Sequence, residues 1–260
     1  MVRIAAVVEY DGARFNGWQR QASVSGIQGC VEQALSRVAD HPVNVVCGGR
    51  TDAGVHAIGQ VIHFDSEATR SMRSWLMGGN ANLPKEVAVT WVHPVAEDFH
   101  ARFSALRRSY RYVIFNRPVR PTALAWRTSW DYRPLDAGLM QESARYLLGE
   151  HDFSSYRALA CQAKSPVRTI YKIDVQRRNE LVIIDIQANA FLHHMVRNIV
   201  GVLCAIGAGE RPSLWSKEVL ERRDRTLGGV TAPPSGLYLM EIQYPEHFGI
   251  PRLPDTAMVW

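Results

Sequence analysis

Residues 48–56 read Gly48-Gly49-Arg50-Thr51-Asp52-Ala53-Gly54-Val55-His56 and follow directly on the β-branched run Val43-Asn44-Val45-Val46. A strand that ends in a glycine-flanked turn can bring its backbone close to a ligand, because glycine adopts conformations closed to other residues. Asp52 would then sit on a tight, well-held loop, the setting from which binding and catalytic side chains commonly work. Asp also favours turns for its own reasons, since its carboxylate bonds nearby backbone amides. The local sequence leaves both roles open, reactive carboxylate and turn cap. Asp52 with His56 and His63, or alternatively the pair His193-His194, raise a third reading, a metal site, because imidazole and carboxylate are common ligands. Their spacing matches no metal motif, and adjacent histidines on a helix point about 100° apart. No metal is expected.

Such a loop needs a folded frame, and the composition supplies one. The chain has 260 residues, 47% apolar and 21% charged, which is the profile of a globular protein rather than a disordered one. Thirty Lys and Arg against 25 Asp and Glu leave a formal charge of +5, a mild bias towards a polyanionic partner. Cys30, Cys47, Cys161 and Cys204 lie far apart and open no zinc or redox motif, so they read as reduced thiols in a cytoplasmic protein. The start, Met1-Val2-Arg3-Ile4, runs straight into a strand pattern without the basic and apolar regions of a signal peptide. The longest apolar run, 199–208, is about half of the roughly 20 residues a membrane span needs, so no span is expected.

Periodicity predicts strands over 4–10, 43–47, 60–64 and 87–92, with helices over 27–39 and 70–77. The order is β-α-β-β-α-β. It repeats further on, with strands over 109–115, 169–177, 180–189 and 237–243, a helix over 136–148, and helices beginning near 194 and 214. The expected class is therefore α+β, two ferredoxin-like halves flanking a basic cleft, residues 1–105 carrying the Asp52 loop and residues 106–260 completing the site. RNA-recognition modules use this architecture by offering an open sheet face to unstacked bases.

The Gly-Arg-Thr-Asp-Ala-Gly-Val-His run resembles the hallmark of the tRNA pseudouridine synthase A family. The resemblance continues through Glu9-Tyr10-Asp11-Gly12, Gly17-Trp18-Gln19, Phe99-His100-Ala101-Arg102-Phe103, Tyr110-Arg111-Tyr112, the run Asn189 to Asn198, and Gly236-Leu237-Tyr238-Leu239. It implies a homodimer that isomerises uridine to pseudouridine at positions 38, 39 and 40 of the tRNA anticodon arm. That reaction detaches uracil, turns it and rejoins it through carbon 5, so it requires no cofactor. A carboxylate suits the chemistry as a nucleophile or as a stabiliser of a cationic sugar.

Residue by residue, the resemblance makes Asp52 the essential carboxylate and Arg197 the partner that orients it, since an ordinary carboxylate needs no help to ionise at neutral pH. Tyr110 would stack on the target base, a contact worth about 1–3 kcal/mol, and Leu237 would line the same pocket. Arg50 would assist extrusion of the nucleotide, which costs a few kcal/mol of unstacking. His100, Arg102, Phe103, Gln162 and Lys164 match segments that touch the tRNA, chiefly through its backbone. The rival is a non-catalytic RNA-binding protein. Asp52 separates the two, because a carboxylate among RNA phosphates is unfavourable unless it reacts.

Overall fold

The computed structural model describes residues 1–20 and 26–252 as a mixed α/β protein of two compact units, the described residues of 1–106 with 238–252 and residues 107–237. In the first unit the order is β1 (Val2–Tyr10), α1 (Ile27–Ala39), β2 (Val46–Cys47), β3 (His56–Ser66), α2 (Met72–Asn82) and β4 (Val87–Pro94). β1 lies between β3 and β4, antiparallel to both, and β2 adds antiparallel to β3. Ile4 to Val8 are all buried, so both faces of β1 are covered and its sequence is continuously apolar rather than alternating. One face carries the helices, with Phe64 of β3 against Trp75 of α2 (ring centroids 5.1 Å). The other carries His63, packed against Phe99 and His100 (5.9 and 4.9 Å), with Phe99 in turn against Tyr244 and Phe248 (both 5.1 Å). The open sheet face expected by analogy with RNA-recognition modules is thus closed at β1 and β3.

Local chemistry explains where the elements stop. The predicted strand over 43–47 shrinks to Val46–Cys47 because α1 side chains take the earlier amides: Val43 N–H donates to Ser36 Oγ (2.8 Å) and Val45 N–H to Glu32 Oε1 (3.1 Å). α2 begins two residues later than the periodicity predicts because Ser71 caps it, its Oγ accepting from Ser74 N–H (3.1 Å).

The second unit contains β5 (Arg107–Asn116), β6 (Ser129–Asp131), α3 (Ala137–Ala144), β7 (Gly149–Asp152), β8 (Val167–Arg178), β9 (Leu181–Ala188), α4 (Met195–Gly207) and α5 (Trp215–Arg222). Its sheet runs β5-β9-β8-β7 with antiparallel ladders, and β6 adds parallel to β5. β8 and β9 form a hairpin turning through Asn179 at φ 54°, a left-handed position Asn tolerates. β6 and β7 were not foreseen, being short, polar and without alternation. The last strand, β10 (Leu237–Gln243), pairs in parallel with β3, Tyr238 opposite His56 and Leu239 opposite Ala57. Residues 238–252 therefore belong with the first unit, whereas the sequence pattern places them in the second half. Among the described residues no helix is long and apolar enough to cross a membrane.

Candidate active site

Between β2 and β3 the chain crosses residues 48–55, and almost every anchor of that loop is buried. Gly48 N–H donates to the Val61 carbonyl (2.7 Å). Gln60 holds Gly49 from both sides, accepting from its N–H at Oε1 (3.2 Å) and donating a short bond from Nε2 to its carbonyl. Gln60 Nε2 also donates to Tyr10 Oη (3.4 Å), which bonds Thr51 Oγ1 at 2.8 Å. Tyr10, Thr51 and Gln60 are all buried, so this chain of polar groups fixes the residue next to Asp52 from within the sheet.

Residues 12–18 hold the loop from its other side. Trp18 N–H donates to the Thr51 carbonyl (3.0 Å), and Gly54 N–H donates to the Phe15 carbonyl (3.3 Å). The approach is close enough to demand glycine. At Gly17, with φ +87°, a Cβ would lie 2.8 Å from the Thr51 carbonyl oxygen and 3.1 Å from the Asp52 carbonyl carbon. At Gly12 it would lie 2.0 Å from the Val55 carbonyl oxygen. Gly12 N–H in turn donates to His56 Nδ1 (3.1 Å), and the His56 ring stacks on Tyr238 at 4.6 Å, so the motif's histidine anchors the loop's exit. Asp52 itself is half-buried at the turn, with Arg50 and Ala53 exposed beside it.

A second loop of the same unit carries His100, Arg102 and Phe103. Arg102 and Phe103 are exposed, with the Arg102 guanidinium 5.5 Å from the centre of the Phe103 ring and that ring 4.4 Å from His100. Burial pushes the Cys47 thiol up to about 11, while the positive charges of Arg50 and Arg102 pull against it. One arginine from each loop therefore acts on the same thiol.

The second unit holds the remaining sequence-predicted residues. Tyr110 lies on β5 opposite Ile186 of β9, buried, with Phe191 edge-on at 5.0 Å. Arg197 is in the first turn of α4, its Nε donating to the Ala232 carbonyl (2.7 Å) while Ala232 N–H donates to the Arg197 carbonyl (3.1 Å). α4 starts after His194 at φ 61°, which turns the chain sharply out of residues 189–193. Leu237 is buried at the start of β10, whereas Gln162 and Lys164 are exposed in the segment before β8. Sequence reasoning missed Tyr10, Gln60, His63 and Tyr244 as loop-holding residues. The runs around Tyr10 and Gly17 were visible as motifs, but their spacing says nothing of what they hold.

The model of the tRNA pseudouridine synthase family matches residues 6–104 and 143–245. Those stretches take in Arg50, Asp52, His100, Arg102, Phe103, Gln162, Lys164, Arg197 and Leu237, and leave Tyr110 between them. The chain is 56% identical to tRNA pseudouridine synthase A of Nitrosococcus oceani over 259 residues, covering all of both sequences. It is also 56% identical to the proteins of that name from Alcanivorax borkumensis, over 98% of this chain and 96% of the relative, and from Pseudomonas aeruginosa, over 96% and 88%.

Proposed function

We propose, from the premise that this chain belongs to the tRNA pseudouridine synthase family, that Asp52 is the carboxylate with which it isomerises uridine to pseudouridine in tRNA. The observation that carries this reading is the construction around Asp52. The backbone on either side of the half-buried Asp52 is held by a buried Tyr10–Gln60 relay that grips Gly49 and Thr51, and by a glycine too close to the loop for any side chain. A turn cap needs no such frame. A group that must meet one bond of an extruded nucleotide does, because misplacement by about 1 Å costs on the order of a hundredfold in rate.

In this reading the C1′–N1 bond breaks, the uracil turns, the C1′–C5 bond forms, C5 gives up its proton and N1 takes one up. Atoms then balance without an added group. Asp52 acts on the extruded nucleoside, Tyr110 stacks against its base beside Leu237, and Arg197 orients the carboxylate, its Nε already fixed on Ala232. Arg50 supports the displaced nucleotide, while His100, Arg102, Phe103, Gln162 and Lys164 receive the surrounding tRNA. The antiparallel order β4-β1-β3-β2, with α1 and α2 as crossovers, supports assigning the first unit to the ferredoxin-like class, and β5, α3, β8, β9 and α4 support the same for the second. The proposed targets are positions 38, 39 and 40, and the proposed working form is a cytoplasmic homodimer that uses no metal or organic cofactor.

Mass-spectrometric mapping of tRNA from cells lacking this protein tests the assignment. Pseudouridine is expected to vanish at positions 38, 39 and 40 and to persist elsewhere; an unaltered map would overturn it.

A further inference from the structure

Residues 99–104 present an exposed aromatic ring, Phe103 at 75% exposure, on a loop whose backbone is tied at nearly every step. The Phe99 carbonyl accepts from Arg3 of β1 (3.1 Å), and the Ala101 carbonyl accepts from Tyr244 Oη (2.6 Å). Ala101 N–H donates to Nδ1 of His63 on β3 (3.1 Å). His100 N–H donates to Ser104 Oγ, and Ser104 N–H donates back to the His100 carbonyl, both at 2.9 Å. The N–H groups of Arg102 and Phe103 converge on His100 Nδ1, each at 3.2 Å. Exposed loops with few ties are the mobile parts of a protein, and this one is built the opposite way. Two imidazoles do much of that work, and both must offer Nδ1 as a lone pair, with any ring proton on Nε2.

We propose that His63, together with His100, is a positioning residue that preforms the 99–104 loop so that Phe103, backed by His100 and flanked by Arg102, is a stacking platform for an unpaired base of the tRNA. The proposal rests on the reading that tRNA is the substrate. The rings line up for it: His63 lies 4.9 Å from His100, His100 lies 4.4 Å from Phe103, and the Arg102 guanidinium stands over the Phe103 ring. An aromatic face accepts any base, and a neighbouring guanidinium adds attraction for base and phosphate alike. Arg3, Asp65 and His100 are the charged and titratable groups acting on His63, whose pKa is lowered to about 4 chiefly by burial, so its acceptor survives at neutral pH.

The test compares steady-state kinetics of pseudouridine formation in the wild type, Phe103→Ala, His63→Leu and His63→Asn. Phe103→Ala and His63→Leu are each expected to raise KM for tRNA by roughly tenfold with kcat little changed, as loss of one stacked base would. His63→Asn, whose amide oxygen stands near the lost Nδ1, is expected to restore a wild-type KM. Should His63→Leu fail to fold, the nitrogen-15 spectrum of the wild-type imidazole decides, with an unprotonated Nδ1 and a protonated Nε2 expected. A wild-type KM in Phe103→Ala or His63→Leu, no recovery in His63→Asn, or a protonated Nδ1 would overturn the proposal. A wild type inactive on tRNA would instead defeat the functional reading on which it rests.

Discussion

Replacing Gly17 by Ala probes whether the frame around Asp52 sets its rate. The φ of +87° would cost an alanine about 1–2 kcal/mol, the ordinary penalty for a left-handed L-residue. The larger effect is steric. The new Cβ would stand 2.8 Å from the Thr51 carbonyl oxygen, where ordinary van der Waals separation begins at 3.4 Å, so one side must yield by about 0.6 Å. Neighbouring backbone of Asp52 and Ala53 lies 3.1 Å away, so the loop cannot step aside without carrying the carboxylate along. With about a hundredfold lost per ångström of misplacement, a shift of about 0.6 Å should slow the chemical step by roughly 15-fold. Gly209 supplies the control, because its φ is +76° but nothing lies within 4 Å of a Cβ there. Gly209→Ala should lose similar stability and keep the wild-type rate. Single-turnover release of tritium from C5 of labelled uridine in saturating tRNA measures the step, and denaturant melts of each variant measure the strain. Equal rates for Gly17→Ala and wild type, or equal slowing in both variants, would refute the idea that the glycine positions Asp52.

His63 makes stability depend on pH in a stated direction. Its folded pKa of about 4 lies below the unfolded value of about 6.5, so between these the unfolded chain binds the extra proton. Stability should therefore fall as pH drops from 6.5 towards 4, by at most about 3 kcal/mol from this residue, and level off below. His63→Asn should flatten that part of the profile in urea melts, and an unchanged slope would contradict the assignment. Arg102→Ala should weaken tRNA binding and reduce the salt slope of log K by about one, the signature of a lost phosphate contact. An unaltered slope would show that Arg102 does not reach the RNA backbone.

Local features of this fold were legible before any coordinates. α1 runs over the residues its periodicity predicts, and the Asp52 loop falls between two strands as its glycines imply. What could not be read was long-range. Val43 and Val45 look like strand residues, yet their amides are taken by Ser36 and Glu32 of the preceding helix. β6 and β7 are short and polar, held by neighbours rather than by their own pattern. The parallel pairing of β10 with β3 joins residues far apart in sequence, as does the bond from Tyr244 to Ala101. The candidate site divides the same way. Asp52 and its motif stand out in the sequence, while Tyr10, Gln60 and Gly17, which hold them, have ordinary roles available until their distances to the loop are known.

The most direct measurement removes the charge of Asp52 and little else. Purified Asp52→Asn, incubated with unmodified tRNA, is expected to form no pseudouridine while binding that tRNA within about tenfold of wild type, a difference of about 1.4 kcal/mol or less. Normal turnover by this variant would contradict the central role given to that carboxylate.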